Sequence, residues 1–239
     1  MRPAVGRAEE ITVAVAANFI GAFAVIRAKF EQETNHRVVT VAGSTGKLYA
    51  QVENGAPFDL FLAADRETPA RVVAAGLGES PFNYANGALV LWSKRPGYVD
   101  AAGQVLARGT FAHLALANPE LAPYGRAARQ VLWNLGLFDK LKARIVLGES
   151  IAQTQQFVET ENAELGFVAL SQILDPQQPK GGSYWLVPQQ LYACLDQDGI
   201  VLAPGQGKPA VAEFTRRLGS TGTCAIIRRY GYRCPRGAP

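Results

Sequence analysis

The chain has few of the features that mark specialised classes of protein. No apolar run approaches the ~20 residues that a helix needs to cross a bilayer. Cysteine is scarce: Cys194, Cys224 and Cys234 show no zinc-type spacing, and an odd count leaves at least one thiol free. Cys224 with Cys234 is a candidate disulfide, and unpaired buried thiols fit the sequence equally well. The two histidines, His36 and His113, fall at a helix end and before a strand, which suits structural or solvated side chains. No carboxylate pair, metal cluster or Ser-His-Asp order stands where it would build a catalytic centre. Asp59 and Asp65 flank a strand and read first as turn and cap residues. Met1 to Glu10 starts positive but has no apolar core of a secretory signal, which leaves export and a cytoplasmic location both open.

Charge is also modest. The net +4 is spread along the chain except for a C-terminal group of Arg216, Arg217, Arg228, Arg229, Arg233 and Arg236. Aromatic residues do not interleave with that group as a nucleic-acid groove requires, so it reads as a solvated face. A 48% hydrophobic share with 18% charged residues is ordinary for a globular protein. With 239 residues the chain makes one large domain or two small ones, with a substantial core.

What is present centres on Val41 to Asp65, VAGSTGKLYAQVENGAPFDLFLAAD. Gly43-Ser44-Thr45-Gly46 makes a small-residue turn, Lys47 to Glu53 a helix, and Phe58 to Ala63 a short buried strand. Asn54-Gly55-Ala56-Pro57 stops the helix between them. Such a turn leaves unpaired N–H groups at the positive end of a helix dipole, a seat for an anion as well as an ordinary N-cap. It is not a nucleotide phosphate loop. Only two residues separate Gly43 from Gly46, and Leu48, not Ser or Thr, follows Lys47.

The surrounding pattern alternates strand and helix. Ile11–Ala16 reads as a strand, and Asn18 as the N-cap of a helix whose apolar face is Phe19, Phe23, Ile26 and Phe30. Arg37–Val41 is a strand, Glu67–Ala75 a helix, and the texture changes at Asn83–Gly87. Ala88–Ser93, Leu114–Ala117, Arg144–Leu147 and Leu165–Leu170 are further strands. Helices run from Arg126 to Asn134 and from Ile151, the latter with a Ser150/Gln153 capping box. Asp175–Gly182 is an exposed loop, Asp196–Leu202 returns the chain to the first half, and helices close it at Pro209–Arg217 and Ala225–Tyr230. This predicts two similar α/β units with parallel sheets, helices on both faces, and two crossings. No internal repeat is visible. Four strand-to-helix junctions carry small polar or hydroxyl groups: Ala17-Asn18, Ser44-Thr45, Pro123-Tyr124 and Ser150-Ile151. In doubly wound sheets ligands sit beyond the carboxyl ends of the strands, where such junctions gather. The set offers neutral donors without an obligatory cation, which suits an anion wholly enclosed in protein.

The stretches ITVAVAANF, VAGSTGKLYAQVENGAPFDLFLAAD, GALVLWSK, NPELAPYGRAARQVLWNLGLFDKL, GESIAQ and LGFVALSQI together resemble the periplasmic molybdate-binding proteins of ABC transporters, over roughly residues 11–190. The resemblance implies a type II periplasmic-binding-protein fold, two doubly wound α/β lobes joined by a two-crossing hinge. Lobe I would span residues 10–86 plus 197–239, and lobe II residues 87–196. It implies a monomeric periplasmic carrier, without cofactor, enzymatic activity or nucleic-acid partner. Such a carrier holds molybdate or tungstate without direct metal coordination by the protein and hands it to a membrane permease. Carried over by position, the donors are the backbone of Ala17, Asn18, Ser44, Thr45, Tyr124 and the Ile151 amide, with Ser150 capping its helix. Two departures stand out: Ala17 replaces the family's frequent Ser or Thr, and Ala169 stands where many members carry a tyrosine, with Tyr124 to compensate. Other readings are a binding protein for sulfate or phosphate, an anion-sensing regulatory domain, and an enzyme on the same fold. The regulator would need a helix-turn-helix before the first strand, and the enzyme an activated nucleophile or base.

Overall fold

The computed structural model describes residues 8–235. Most of Met1–Glu10, the Arg236 member of the basic group and the last residues assigned to lobe I lie outside the described residues. The first part of the chain runs β1 (Glu10–Ala16), a 3-10 turn at Ala17–Phe19, α1 (Ile20–Glu33), β2 (Arg37–Gly43), α2 (Thr45–Glu53), β3 (Leu60–Leu62), α3 (Glu67–Ala74) and β4 (Gly78–Gly87). The middle runs β5 (Leu89–Ser93), α4 (Val105–Arg108), β6 (Leu114–Ala117), α5 (Pro123–Asn134), α6 (Phe138–Leu141), β7 (Ile145–Gly148), α7 (Ile151–Glu159), β8 (Leu165–Ala169), α8 (Leu170–Ile173) and β9 (Ser183–Leu186). Then β10 (Leu195–Leu202), α9 (Pro209–Leu218) and α10 (Thr221–Arg229) complete it.

Two five-stranded sheets result, in the orders β2-β1-β3-β10-β4 and β7-β6-β8-β5-β9. Each has a parallel trio followed by antiparallel strands. The two α/β lobes are therefore alike, as the alternating pattern indicated, but their sheets are mixed and not wholly parallel. The chain leaves the first sheet after β4 and returns to it as β10, which are the two crossings. Neither β4 nor β9 is apparent in the sequence. β4 reads GESPFNYANG, and it is a strand because it pairs along its length with β10.

Strands covered on both faces must be apolar throughout. In β1, Ile11, Val13 and Val15 face α1 and α9, packing with Phe23, Ile26, Phe30 and Phe214, while Ala14 faces α2 with Leu48 and Phe61. The apolar face expected of α1 is thus buried. Its expected N-cap is not formed: Phe19 precedes the helix and makes no side-chain cap, and the Asn18 amide points into the protein instead. Asp59 is structural, as expected. It accepts from the Thr12 N–H at 2.8 Å and pairs with Lys208 at 2.7 Å. Asp65 accepts from the Thr68 N–H at 3.0 Å and so caps the start of α3.

The alternatives for cysteine resolve into a Cys224–Cys234 disulfide with Cys194 free and exposed. The disulfide ties the C-terminal segment to α10, and a backbone bridge between Asn86 and Arg233 ties it to β4. Among the described residues, Arg216, Arg228, Arg229 and Arg233 are solvent-exposed, and the half-buried Arg217 pairs with Glu33 at 2.6 Å. Within the same residues no helix is long and apolar enough to cross a membrane.

Candidate functional site

The four junctions meet. A small cavity of about 10 Å³ lies between the lobes and is lined by Ala16, Ala17, Asn18, Ser44, Thr45 and Ala64 from one and by Ala122, Pro123, Tyr124 and Ile151 from the other. Organic-ligand sites usually offer about 300–1,000 Å³, so this one has no room for an organic molecule and suits at most a small inorganic ion. Every position expected to contact ligand lines it except Ser150, which sits just behind. None of the lining residues carries a charge.

The lining helices α2, α5 and α7 arrive with their N-termini first. Pro123 opens α5, where a missing N–H costs nothing because the first turn has no acceptor for it. Ser44 caps α2 and Ser150 caps α7, their Oγ atoms accepting from Lys47 N at 3.4 Å and Gln153 N at 3.2 Å. The expected reciprocal half of the Ser150 box is displaced by one residue: Gln153 Oε1 accepts from Glu149 N, at 2.7 Å. Among the described residues, the N–H groups of Thr45, Tyr124 and Ile151 have no acceptor, as befits the first turns of helices. The starts of α2, α5 and α7 converge here, together with the 3-10 turn Ala17–Phe19 that precedes α1, and bring the positive ends of three helix dipoles to the cavity.

The hydroxyls are already engaged in one direction. Thr45 Oγ1 accepts from Ala64 N at 3.0 Å, Ser44 Oγ from Lys47 N, and Tyr124 from Gln197 Nε2 at 3.1 Å. A hydroxyl that accepts from the protein keeps its own hydrogen to donate. Burial pushes the Tyr124 phenol well above its ordinary range, so it stays protonated. Asn18 differs. Both of its amide hydrogens are committed, to Gln197 Oε1 at 2.9 Å and to the Tyr232 hydroxyl at 3.0 Å, so its side chain has none left for a ligand. What Asn18 can still offer is its backbone N–H.

Sequence reading missed the polar group behind the cavity. Gln197 is fully buried on β10, between Asn18, Tyr84 and Tyr124. Tyr232 and Ser171 extend the group, with the Tyr232 oxygen 2.7 Å from Asn18 O and 2.9 Å from Ser171 Oγ. One signal was available: Leu195, Gln197 and Gly199 share a strand face, and a glutamine between two carboxylates there is an inward-pointing polar group. The histidines stay outside. His36 accepts from Glu9 N at 3.2 Å and His113 is exposed.

A clasp joins the lobes beside the cavity. Gly46 N donates to Leu121 O at 2.8 Å, Lys47 pairs with Glu149, and Arg126 pairs with Asp65. A Cβ on Gly46 would stand 3.1 Å from the Leu121 backbone, so a side chain there would make the Leu121 backbone give by a few tenths of an ångström. No group of three or more His, Cys, Asp or Glu among the described residues is placed to hold a metal ion.

Two α/β lobes linked by two crossings, enclosing an uncharged pocket of donors, define a solute-binding protein of the periplasmic-binding-protein fold. The bacterial extracellular solute-binding protein family matches residues 11–233, and the chain belongs to it. Among its relatives, the molybdate-binding protein ModA of Azotobacter vinelandii is 49% identical, with 95% of this chain and 90% of the relative covered. ModA of Rhodobacter capsulatus is 42% identical over 94% and 88%. The solved structure of the Azotobacter vinelandii periplasmic molybdate-binding protein superimposes with a TM-score of 0.91 at 39% identity, covering 95% of this chain and 100% of that one. The sulfate-binding protein SubI of Mycobacterium tuberculosis shares the fold, with a TM-score of 0.78 at 15% identity over 97% and 88%.

Proposed function

We propose that this protein captures a tetrahedral oxyanion of molybdenum or tungsten in the interlobe cavity and delivers it to the membrane permease of an ABC transporter. The observation that carries the reading is the donor-only lining. Ser44, Thr45 and Tyr124 each accept a protein hydrogen bond and keep a hydrogen for the ligand, and no charged side chain lines the cavity. A fully deprotonated dianion can use every donor. An anion that carries its own proton, such as hydrogen phosphate, would need an acceptor there. The ModA relatives support molybdate as the particular cargo.

In this reading the ligand shell is Ser44, Thr45 and Tyr124 with the backbone N–H groups of Ala17, Asn18 and Ile151, and Ser150 holds the Ile151 turn. The lobes are residues 10–86 with 197–239, and residues 87–196. The protein works as a monomer without cofactor, catalysis or nucleic-acid partner. A disulfide and the family relationship both support an oxidising, extracytoplasmic location. Calorimetric titration with molybdate, tungstate, sulfate and phosphate tests it. Molybdate and tungstate should bind tightly and phosphate poorly; preference for sulfate, or no oxyanion binding at all, refutes the assignment.

A further inference from the structure

We infer that Gln197, outside the ligand shell, is the positioning residue that aims the Tyr124 hydroxyl at the ligand. The inference rests on the oxyanion reading and concerns how one of its donors is oriented. A phenol hydroxyl that is free to rotate can point its proton to any acceptor in reach. Here the Tyr124 oxygen receives Gln197 Nε2 at 3.1 Å, which leaves the phenol proton to turn away from the glutamine, and among the described residues it has no other protein acceptor. The cavity is on its open side.

The glutamine is itself held one way round. Its Oε1 receives Asn18 Nδ2 at 2.9 Å and lies 3.0 Å from the Tyr84 hydroxyl, whose single proton is shared with Ala63 O at 2.8 Å. Reversing the amide alone would set its NH2 against that of Asn18. Backbone geometry serves the same contact. The β4–β10 ladder shifts register between Gln197 and Asp198, where Ala85 and Asn83 are their partners and Tyr84 is the extra residue. Bulges of this kind re-aim side chains beside functional sites. Gly87 supplies the space: a Cβ there would overlap the Tyr124 hydroxyl and stand 2.7 Å from Gln197 Nε2. Gln197 is therefore built into the crossing between the lobes, does not line the cavity itself, and touches two residues that do: Tyr124 through its Nε2 and Asn18 through its Oε1.

The titratable groups around this position are the phenols of Tyr84, Tyr124, Tyr192 and Tyr232, all raised by burial, with the carboxylates of Asp65 and Asp198 acting on Tyr84. A double-mutant cycle tests the inference. Wild type, Gln197→Met, Tyr124→Phe and the double variant are titrated with molybdate by calorimetry. Gln197→Met alone should weaken binding by about tenfold, as loss of one oriented bond to a charged group does. In the Tyr124→Phe background it should add less than about twofold, because the residue it acts through is gone. Gln197→Glu gives an independent readout: it keeps an acceptor for Asn18 but turns the donor facing Tyr124 into an acceptor that competes for the phenol proton. At one pH it should weaken molybdate binding more than Gln197→Met, and that excess should vanish in the Tyr124→Phe background. Additive losses in the cycle, or an excess that survives without the phenol, overturns the inference. Wild-type binding is measured first: its absence defeats the functional reading, whereas binding with additive losses defeats only the role of Gln197.

Discussion

Thr45→Val separates two jobs that one hydroxyl performs. Read from the sequence, the substitution keeps the shape of the side chain and removes a ligand donor, with no effect on the empty protein. The structure adds a second consequence. Thr45 Oγ1 is the acceptor for the buried Ala64 N–H at 3.0 Å, and the threonine is only 2% exposed. Valine leaves that N–H without a partner, which costs about 1–3 kcal/mol. At about 2–4 °C per kcal/mol for a protein of this size, the ligand-free melting temperature should fall by roughly 2–12 °C. The lost bond to the anion is charge-assisted and worth about 1.5–3 kcal/mol, so molybdate should bind about 10- to 150-fold more weakly. Calorimetry reads the second number, and thermal unfolding without ligand reads the first. A protein that melts lower but binds within about a factor of two of wild type would show Thr45 to be a strut for Ala64 and nothing more. An unchanged melting temperature would refute the Ala64 bond.

Three further outcomes follow from the same structure. Because burial raises the phenols of Tyr84, Tyr124 and Tyr232, the folded protein holds protons that the unfolded chain releases near pH 10. Their contribution to stability is complete below that pH and is lost as pH rises toward the folded values. Chemical denaturation should therefore show stability declining above about pH 10, and calorimetry should show affinity level between pH 6 and pH 9; loss of affinity across the histidine range would place His36 or His113 in the site. Asp59→Asn should lower stability by about 1–3 kcal/mol through its weakened bonds to Thr12 and Lys208, with molybdate affinity within about threefold of wild type; the reverse pattern would move Asp59 into the site.

The lining of the interlobe cavity was legible because its parts are local. A strand ending in Ser44-Thr45 or Pro123-Tyr124 announces a helix start from adjacent residues, and the fold rule for parallel strands places such starts together. The support behind the lining is not local. Asn18 meets Gln197 across 179 positions and Tyr232 across 214, and nothing near Asn18 in the chain distinguishes this from capping. Composition misled at β4 for a related reason. Gly, Pro and two Asn mark it as a turn, and only pairing with the distant β10 makes it a strand. β9, SYWL, was hidden as the edge of an exposed loop and takes its identity from β5.

The clasp of Gly46, Lys47 and Arg126 with Leu121, Glu149 and Asp65 makes its contacts only while the lobes are together. Its free energy belongs to the shut conformation whether or not an anion is inside, so it sets the fraction of molecules already shut before capture. Apparent affinity scales with that fraction. Substitutions along this seam can therefore raise or lower the solute concentration at which the protein fills without touching a single ligand donor. Under the proposed reading the same seam bears on unloading: parting the two lobes would break it and strip one lobe's donors from the anion in one movement.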